Sequence, residues 1–270
     1  MSSPAPSFNL RRIKGVYRRL LLELLNNKSE LFEILAWALL DLLAWGLLAS
    51  FIESGDVNLP LPIAFLIGSA LLWAVMFRFQ IGSSYSFLYE AWSGNALALL
   101  ASPVTPLEYF AGGTLFSLTV TAIQLGVMAA VAWIGFGFTL GAIGPALIPF
   151  FGILAVFGLA LSMIVLGLIF RYGHGANMLA WTMSGLLQPL SAVYYPVAIL
   201  PGWAQALAQA LPTTHAFEGM RAVLAGEPLS LERLGFAALL DLGYLALGAW
   251  YAQRSLAVLR ARGYATRYAT

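Results

Sequence analysis

Long apolar runs alternate with short polar stretches along this chain, and most of the runs share one length. Apolar residues dominate about 31–52, 61–81, 107–136, 143–170, 177–200 and 231–253. Each approaches the roughly 20 residues a helix needs to cross a hydrocarbon layer. The third and fourth are longer, so they tilt or extend beyond it. Pro60 and Pro62 stand where the second run begins, and a helix start tolerates proline because the amide it lacks would have no partner there.

Ahead of the first run the pattern changes. Over about 8–27, Ile13, Val16, Tyr17, Leu20, Leu21 and Leu24 recur at helical spacing, while Arg11, Arg12, Lys14, Arg18 and Arg19 fall on the other side. This predicts an amphipathic helix in the headgroup plane. A soluble cationic helix bound to nucleic acid is the other reading, and a membrane run starting four residues later argues against it. The predicted fold is an all-α membrane protein. Residues 1–30 carry the interfacial helix, and residues 31–270 form a six-helix transmembrane domain.

Composition strengthens this picture. Hydrophobic residues make up 60% and charged residues 10%, against about 25% charged in soluble domains. Placing the N-terminus in the cytoplasm and alternating the six runs puts twelve of the fourteen Lys and Arg inside. These are Arg11, Arg12, Lys14, Arg18, Arg19, Lys28, Arg78, Arg171, Arg254, Arg260, Arg262 and Arg267, with only Arg221 and Arg233 outside. The positive-inside rule then predicts a multi-pass protein of the cell's inner (plasma) membrane with both termini cytoplasmic. The first 30 residues show no apolar core followed by a cleavage site, so no cleaved signal is expected.

Two connections stand out. The inner one, 82–106, reads "GSSYSFLYEAWSGNALALLASPVTP". It predicts an amphipathic cytoplasmic helix that either touches a partner or only reinforces its own bundle. The outer one holds two short helical pieces, about 204–211 and 215–224, broken by Pro201 and Pro212. Each reaches only about 12–15 Å, and a crossing there would put the basic tail outside. The segment is therefore expected to enter and leave on the outer side, its irregular backbone covered by protein or lining a polar cavity. His215, Glu218 and Arg221 fall on one side of the second piece at i, i+3, i+6. They read either as the lining of an outer gate or as a local ion pair at a helix end.

Candidate chemistry is sparse. There is no cysteine, which removes disulfides, thiol nucleophiles and iron–sulfur ligation. Neither Lys14 nor Lys28 follows a phosphate-binding glycine pattern. His174 and His215 fall on opposite sides of the predicted membrane, so a shared metal site is not expected. Asp41 and Asp241 lie inside apolar runs, where a carboxylate is costly. Each either hydrogen-bonds a neighbouring Trp, Tyr or Ser or serves in a pathway. A membrane-embedded transferase using Asp41, Asp241 or His215 is the alternative function. It would need these scattered groups to converge at one depth.

Residues 187–226, "LQPLSAVYYPVAILPGWAQALAQALPTTHAFEGMRAVLAG", resemble the permease subunit of ABC-2 type exporters. Pro189, Ser191, Tyr195, Pro196, Leu200, Pro201, Trp203, Pro212, Thr214, His215, Glu218 and Arg221 carry the likeness. A second match, "EAWSGNALALLASPVTPLEY" at 90–109, is similar to that family's cytoplasmic coupling segment through Gly94, Leu99, Leu100, Ser102 and Pro103. Asn95 stands where threonine is usual and Leu97 where an acid is common.

The resemblance implies a transport subunit without its own ATPase site or cofactor. Two separate ABC nucleotide-binding ATPase subunits would bind ATP and Mg. A second permease copy would complete a homodimer in membrane lipid, or a different permease a paired heterodimer, with no nucleic acid involved. It assigns Glu90, Trp92, Gly94, Asn95 and Leu97 to ATPase coupling. Pro201, Trp203, Pro212, Thr214, His215, Glu218 and Arg221 fall to a re-entrant outer gate. Asp41, Tyr194, Tyr195 and Asp241 are candidates for the pathway from their own positions in the sequence. The exported substrate would be amphipathic: a lipid-linked glycan or polysaccharide, a lipid or a drug-like molecule. Aromatic residues are expected at both mouths, Phe79, Tyr85, Phe87 and Tyr89 inside and Tyr194, Tyr195 and Trp203 outside.

Overall fold

The computed structural model describes residues 9–54, 63–92, 103–172 and 177–261, and no strand occurs among them. Among the described residues nine α-helices follow in order: α1 (Leu10–Asn26), α2 (Lys28–Ser54), α3 (Ile63–Trp92), α4 (Pro106–Phe136), α5 (Leu147–Tyr172), α6 (Asn177–Leu190), α7 (Gly202–Gln209), α8 (Pro212–Leu224) and α9 (Leu231–Ala261). Five stretches among the described residues are long and apolar enough to cross a membrane: Lys28–Ser54, Ala64–Gly82, Leu107–Phe136, Gly144–Tyr172 and Leu231–Val258. The chain is a multi-pass helical membrane protein.

The amphipathic N-terminus forms as its periodicity predicts, with Ile13, Val16, Leu20 and Leu24 buried. They pack on α4 rather than facing only lipid. A Cβ on Gly112 would stand 2.7 Å from the Val16 side chain, so this approach requires glycine. Asn9 caps α1 by accepting the Arg11 amide at 2.9 Å. The fully buried Glu108 ties the starts of α1 and α4 together. Its carboxylate accepts the Asn9 and Thr105 amides, both at 2.8 Å, and lies 3.6 Å from Arg12.

One expectation is corrected. The 177–200 run is not one helix: α6 ends at Leu190 after 14 residues, about 21 Å of rise. Pro196 and Pro201 hold extended backbone and Ala192 turns left-handed at φ 52°, so the chain leaves the helix before its apolar character ends. Six continuous crossing helices are therefore not present among the described residues. In the inner connection α3 continues unbroken to Trp92, so Glu90 and Trp92 occupy its last turn; the rest of the expected cytoplasmic helix, residues 93–102, lies outside the described residues. Gly94, Asn95 and Leu97 lie outside the described residues, as do Pro60, Pro62 and His174.

The hub is α3, where Phe65, Ile67, Ala70, Leu71, Val75 and Met76 are fully buried. Small residues set its crossings, as in membrane bundles where close backbone approach replaces the hydrophobic drive. A Cβ on Gly158 of α5 would stand 2.5 Å from the Met76 carbonyl oxygen. One on Gly248 of α9 would stand 2.7 Å from the Ala160 carbonyl oxygen. Outward, α2 exposes Phe32, Trp37, Leu40, Leu47 and Phe51, the surface a hydrocarbon surrounding requires. Phe79, expected at the inner mouth, is instead buried with its ring edge-on to Phe151 at 6.1 Å. Arg78 is not at a helix end either. It lies midway along α3 and donates from Nε to Gln124 Oε1 of α4 at 3.0 Å.

The bundle has two distinct ends. The first half of α3 meets α8: Trp73 approaches Phe217 and the Gly68 backbone approaches Met220. The beginnings of α5 and α9 reach α8 too, through Phe150 beside Gly219 and Phe236 beside His215. The other end carries α1. Because α5 and α9 start at the α8 end, Arg171 and Arg254 finish at the α1 end, apart from Arg221 and Arg233.

Candidate functional site

The α7–α8 hairpin begins where the sequence breaks. Pro201 precedes α7 with extended backbone (φ −61°, ψ 151°), and Pro212 opens α8 at its first turn, where a missing amide costs nothing. Residues 192–200 run beside the hairpin without α-helical hydrogen bonds. Their backbone groups still need partners in an apolar surrounding, and side chains of α8 supply several. Glu218 Oε1 accepts the Val197 amide at 2.9 Å and Arg221 Nη1 at 2.5 Å. Arg221 Nη2 donates to the Ala192 carbonyl at 3.2 Å, and the guanidinium carbon sits 4.1 Å from the centroid of the Phe65 ring.

Ala192 is the only non-glycine residue with positive φ among the described residues. Such a conformation costs an alanine about 1–2 kcal/mol. The Arg221 bond to its carbonyl and its complete burial hold it there. Thr213 Oγ1 donates to Ser191 Oγ at 2.8 Å, both residues wholly buried, and pins the start of α8 to the same link. Burial holds the Arg221 guanidinium below its ordinary pKa, opposed by the Glu218 carboxylate.

His215, Glu218 and Arg221 thus do more than form a local pair. His215 Nε2 meets the Gln209 carbonyl at 2.9 Å, which closes α7 against α8, and its ring stands edge-on to Phe236 at 5.0 Å. A cavity of about 170 Å³ lies beside them, lined by Pro196, Gln209, Thr214, His215, Glu218 and Arg233. Thr214 is fully buried and its hydroxyl has no hydrogen-bond partner among the described residues. Pro201 and Trp203 do not join this cluster. Trp203 is 69% exposed and faces the surroundings.

Two of the four pathway candidates come together. Asp41 Oδ1 accepts Trp45 Nε1 at 3.1 Å, and its carboxylate also hydrogen-bonds Tyr194. The Tyr194 ring stacks on Trp45 with centroids 3.5 Å apart and planes at 19°, and its hydroxyl accepts Gln188 Nε2 at 3.2 Å. This network joins α2, the end of α6 and the link after it. Tyr195 is separate: its hydroxyl donates to the Pro189 carbonyl at 2.5 Å, an acceptor freed where α6 ends. Asp241 is separate as well. It is buried on α9, and Oδ1 has no partner among the described residues. No hydrogen bond links Asp41, Asp241 and His215, so the residues an embedded transferase would need form no common centre. No metal-binding group of three or more His, Asp or Glu occurs among the described residues.

Sequence spacing had not singled out Trp45, Gln188, Val197 or Phe65. Gln188 carried a weak signal, as an amide within an apolar run. Phe65 carried none, because its partner lies more than 150 residues away in sequence.

Residues 16–225 match the family model ABC2_membrane, described as ABC-2 type transporter. No curated protein matches the chain. The match takes in α2 to α8, including the hairpin, its link and the Asp41–Tyr194 network, and it covers more than three quarters of the chain. With its all-helical, multi-span architecture, the chain belongs to the ABC-2 type transporter family.

Proposed function

We propose that this permease is the membrane half of an ATP-driven exporter, carrying an amphipathic substrate from the cytoplasm or inner leaflet outward. Two copies work with two separate ABC ATPase subunits docked at the end that carries α1 and the last turns of α3. ATP and Mg bind those subunits, not this chain. ATP binding closes the ATPase pair, the segment from Glu90 through Gly94, Asn95 and Leu97 passes on the motion, and the far end opens. The α1 end faces the cytoplasm of the inner (plasma) membrane, because the basic residues gather there.

The observation that carries this reading is the stapled hairpin. At about 12 and 20 Å, α7 and α8 are each too short to cross. Both lie at the end opposite α1, and Glu218 and Arg221 shield the irregular backbone beside them. A segment closed by a few side-chain bonds over a polar cavity suits a gate.

Two measurements test the proposal. Glu227 is exposed just after α8, and a Glu227→Cys variant in this cysteine-free chain should react in intact cells with a membrane-impermeant thiol reagent. Lys14→Cys should react only after the cell is opened. The reverse pattern would invert the topology. Inside-out vesicles containing the chain and a paired ABC ATPase should then accumulate a labelled amphiphile only with ATP. Accumulation without the ATPase would remove the proposal.

A further inference from the structure

A second cavity, of about 210 Å³, lies away from the hairpin, between α1, the start of α2, the middle of α3 and α6. None of its lining belongs to the gate or to the Asp41–Tyr194 network. Its apolar walls are aromatic. Phe77 and Trp181 meet with ring centroids 5.6 Å apart at 59°, and Trp37 stands at the rim, 63% exposed to the surroundings.

The polar wall has an unequal charge. Glu23 comes from the end of α1, and Glu30 and Glu33 from the first turns of α2; among the described residues Arg78 is the one cation lining the cavity. Arg78 feels both Glu30 and Glu33. Its hydrogen bond, however, runs from Nε to Gln124 of α4, which holds the guanidinium against that helix. Glu30 accepts only the Asn27 side-chain amide, at 3.2 Å. Three carboxylates against one guanidinium leave the cavity short of two positive charges. The excess of carboxylate charge along the wall favours a guest that supplies the missing sign. Aromatic faces beside it favour the same sign, because the ring quadrupole attracts cations.

We infer that this cavity binds an amphipathic organic cation: an aromatic or aliphatic body bearing a fixed or protonated cationic centre. The inference names a substrate class for the proposed exporter and rests on that reading for its role as cargo, though not for binding itself. An anionic lipid would meet three carboxylates. A neutral glycan polymer would gain nothing from the charges. The cation's body lies between Trp37, Phe77 and Trp181 while its charge faces Glu30 and Glu33.

The test uses two ions of one shape and opposite sign, tetraphenylphosphonium and tetraphenylborate. The purified chain in neutral-lipid nanodiscs, with neither ATPase nor ATP, is titrated with each, and binding to empty nanodiscs is subtracted. Tetraphenylphosphonium should bind saturably and tetraphenylborate should not. The Glu30→Gln, Glu33→Gln double variant should weaken tetraphenylphosphonium at least tenfold. Glu33→Gln alone, a change at an exposed carboxylate, should weaken it about threefold even if the double variant folds poorly. Trp37→Ala should also weaken it, and Glu218→Gln at the other end should not. Equal binding of both ions, or unchanged affinity in Glu33→Gln and Trp37→Ala, would overturn the inference. Because no ATPase takes part, failure of ATP-driven transport leaves this result standing, and the converse holds too.

Discussion

Replacing Arg221 with methionine should loosen the α7–α8 hairpin without unfolding the bundle. Methionine keeps a flexible apolar side chain against Phe65 but removes every donor. The bonds to Glu218 Oε1 (2.5 Å) and to the Ala192 carbonyl (3.2 Å) are lost together. Hydrogen bonds to charged groups contribute about 1.5–3 kcal/mol each. The Arg221 and Glu218 side chains are only 15% and 26% exposed, so water replaces them poorly. Glu218 keeps the Val197 amide as its one donor, and left-handed Ala192 loses the bond to its carbonyl. Allowing for the partial exposure of Glu218, the loss is about 3 kcal/mol, which multiplies the open population roughly 150-fold. Thr213 reports that opening, because it is wholly buried in the closed hairpin. In a Thr213→Cys background, the rate of modification by a small water-soluble thiol reagent should rise about two orders of magnitude on adding Arg221→Met. Arg221→Lys should lie between, since an ammonium lacks the planar fork that reaches both acceptors. A rate within about threefold of the parent, in a protein with unchanged melting temperature, would refute the reasoning.

Three further outcomes are expected. The isolated chain should release no phosphate from ATP above background, and the activity should appear only when an ABC ATPase is added; turnover by the chain alone would remove the transport-subunit reading. Glu90→Arg with Gly94→Trp should dissociate the ATPase or uncouple its hydrolysis from transport, and normal ATP-driven transport in that variant would displace the coupling assignment. Gly158→Val should lower the melting temperature of the detergent-solubilised chain by several degrees, because its Cβ would sit 2.5 Å from the Met76 carbonyl oxygen, an overpacking worth about 1–3 kcal/mol. Gly152→Ala, with open space around the new Cβ, serves as its control and should melt like the parent.

What the sequence revealed about the fold was what a helix writes along its own length. The stripe Ile13, Val16, Leu20, Leu24 repeats within one helix, so α1 was legible from spacing alone. Pro201 and Pro212 act on their own backbone, so the two short helices were legible too. The misread boundaries come from confusing polarity with helix ends. Ser83 and Ser84 raise polarity without breaking hydrogen bonds, and no proline intervenes before Pro103, so α3 runs on to Trp92. The converse holds at 191–201: the chain stays apolar past Leu190, but Pro196 and Pro201 stop it being helical.

The candidate site shows the other side of this limit. A polar group in an apolar layer needs a partner, and the partner need not be on its own helix. Spacing paired Glu218 with Arg221 because they are three apart. It could not show that the pair also serves Val197 and Ala192, 21 and 29 residues earlier. Arg78 lies four residues before the end of the Ala64–Gly82 stretch, as its charge suggested, but spacing could not show that Gln124, 46 residues on, is its partner. Asp41 had several aromatic partners open to it, and only the fold selects Trp45 and Tyr194. Asp241 faces the same requirement. It is buried among the described residues without a partner for Oδ1, so its charge is costly there, and neither its helix nor its neighbours in sequence supply a group that would offset it.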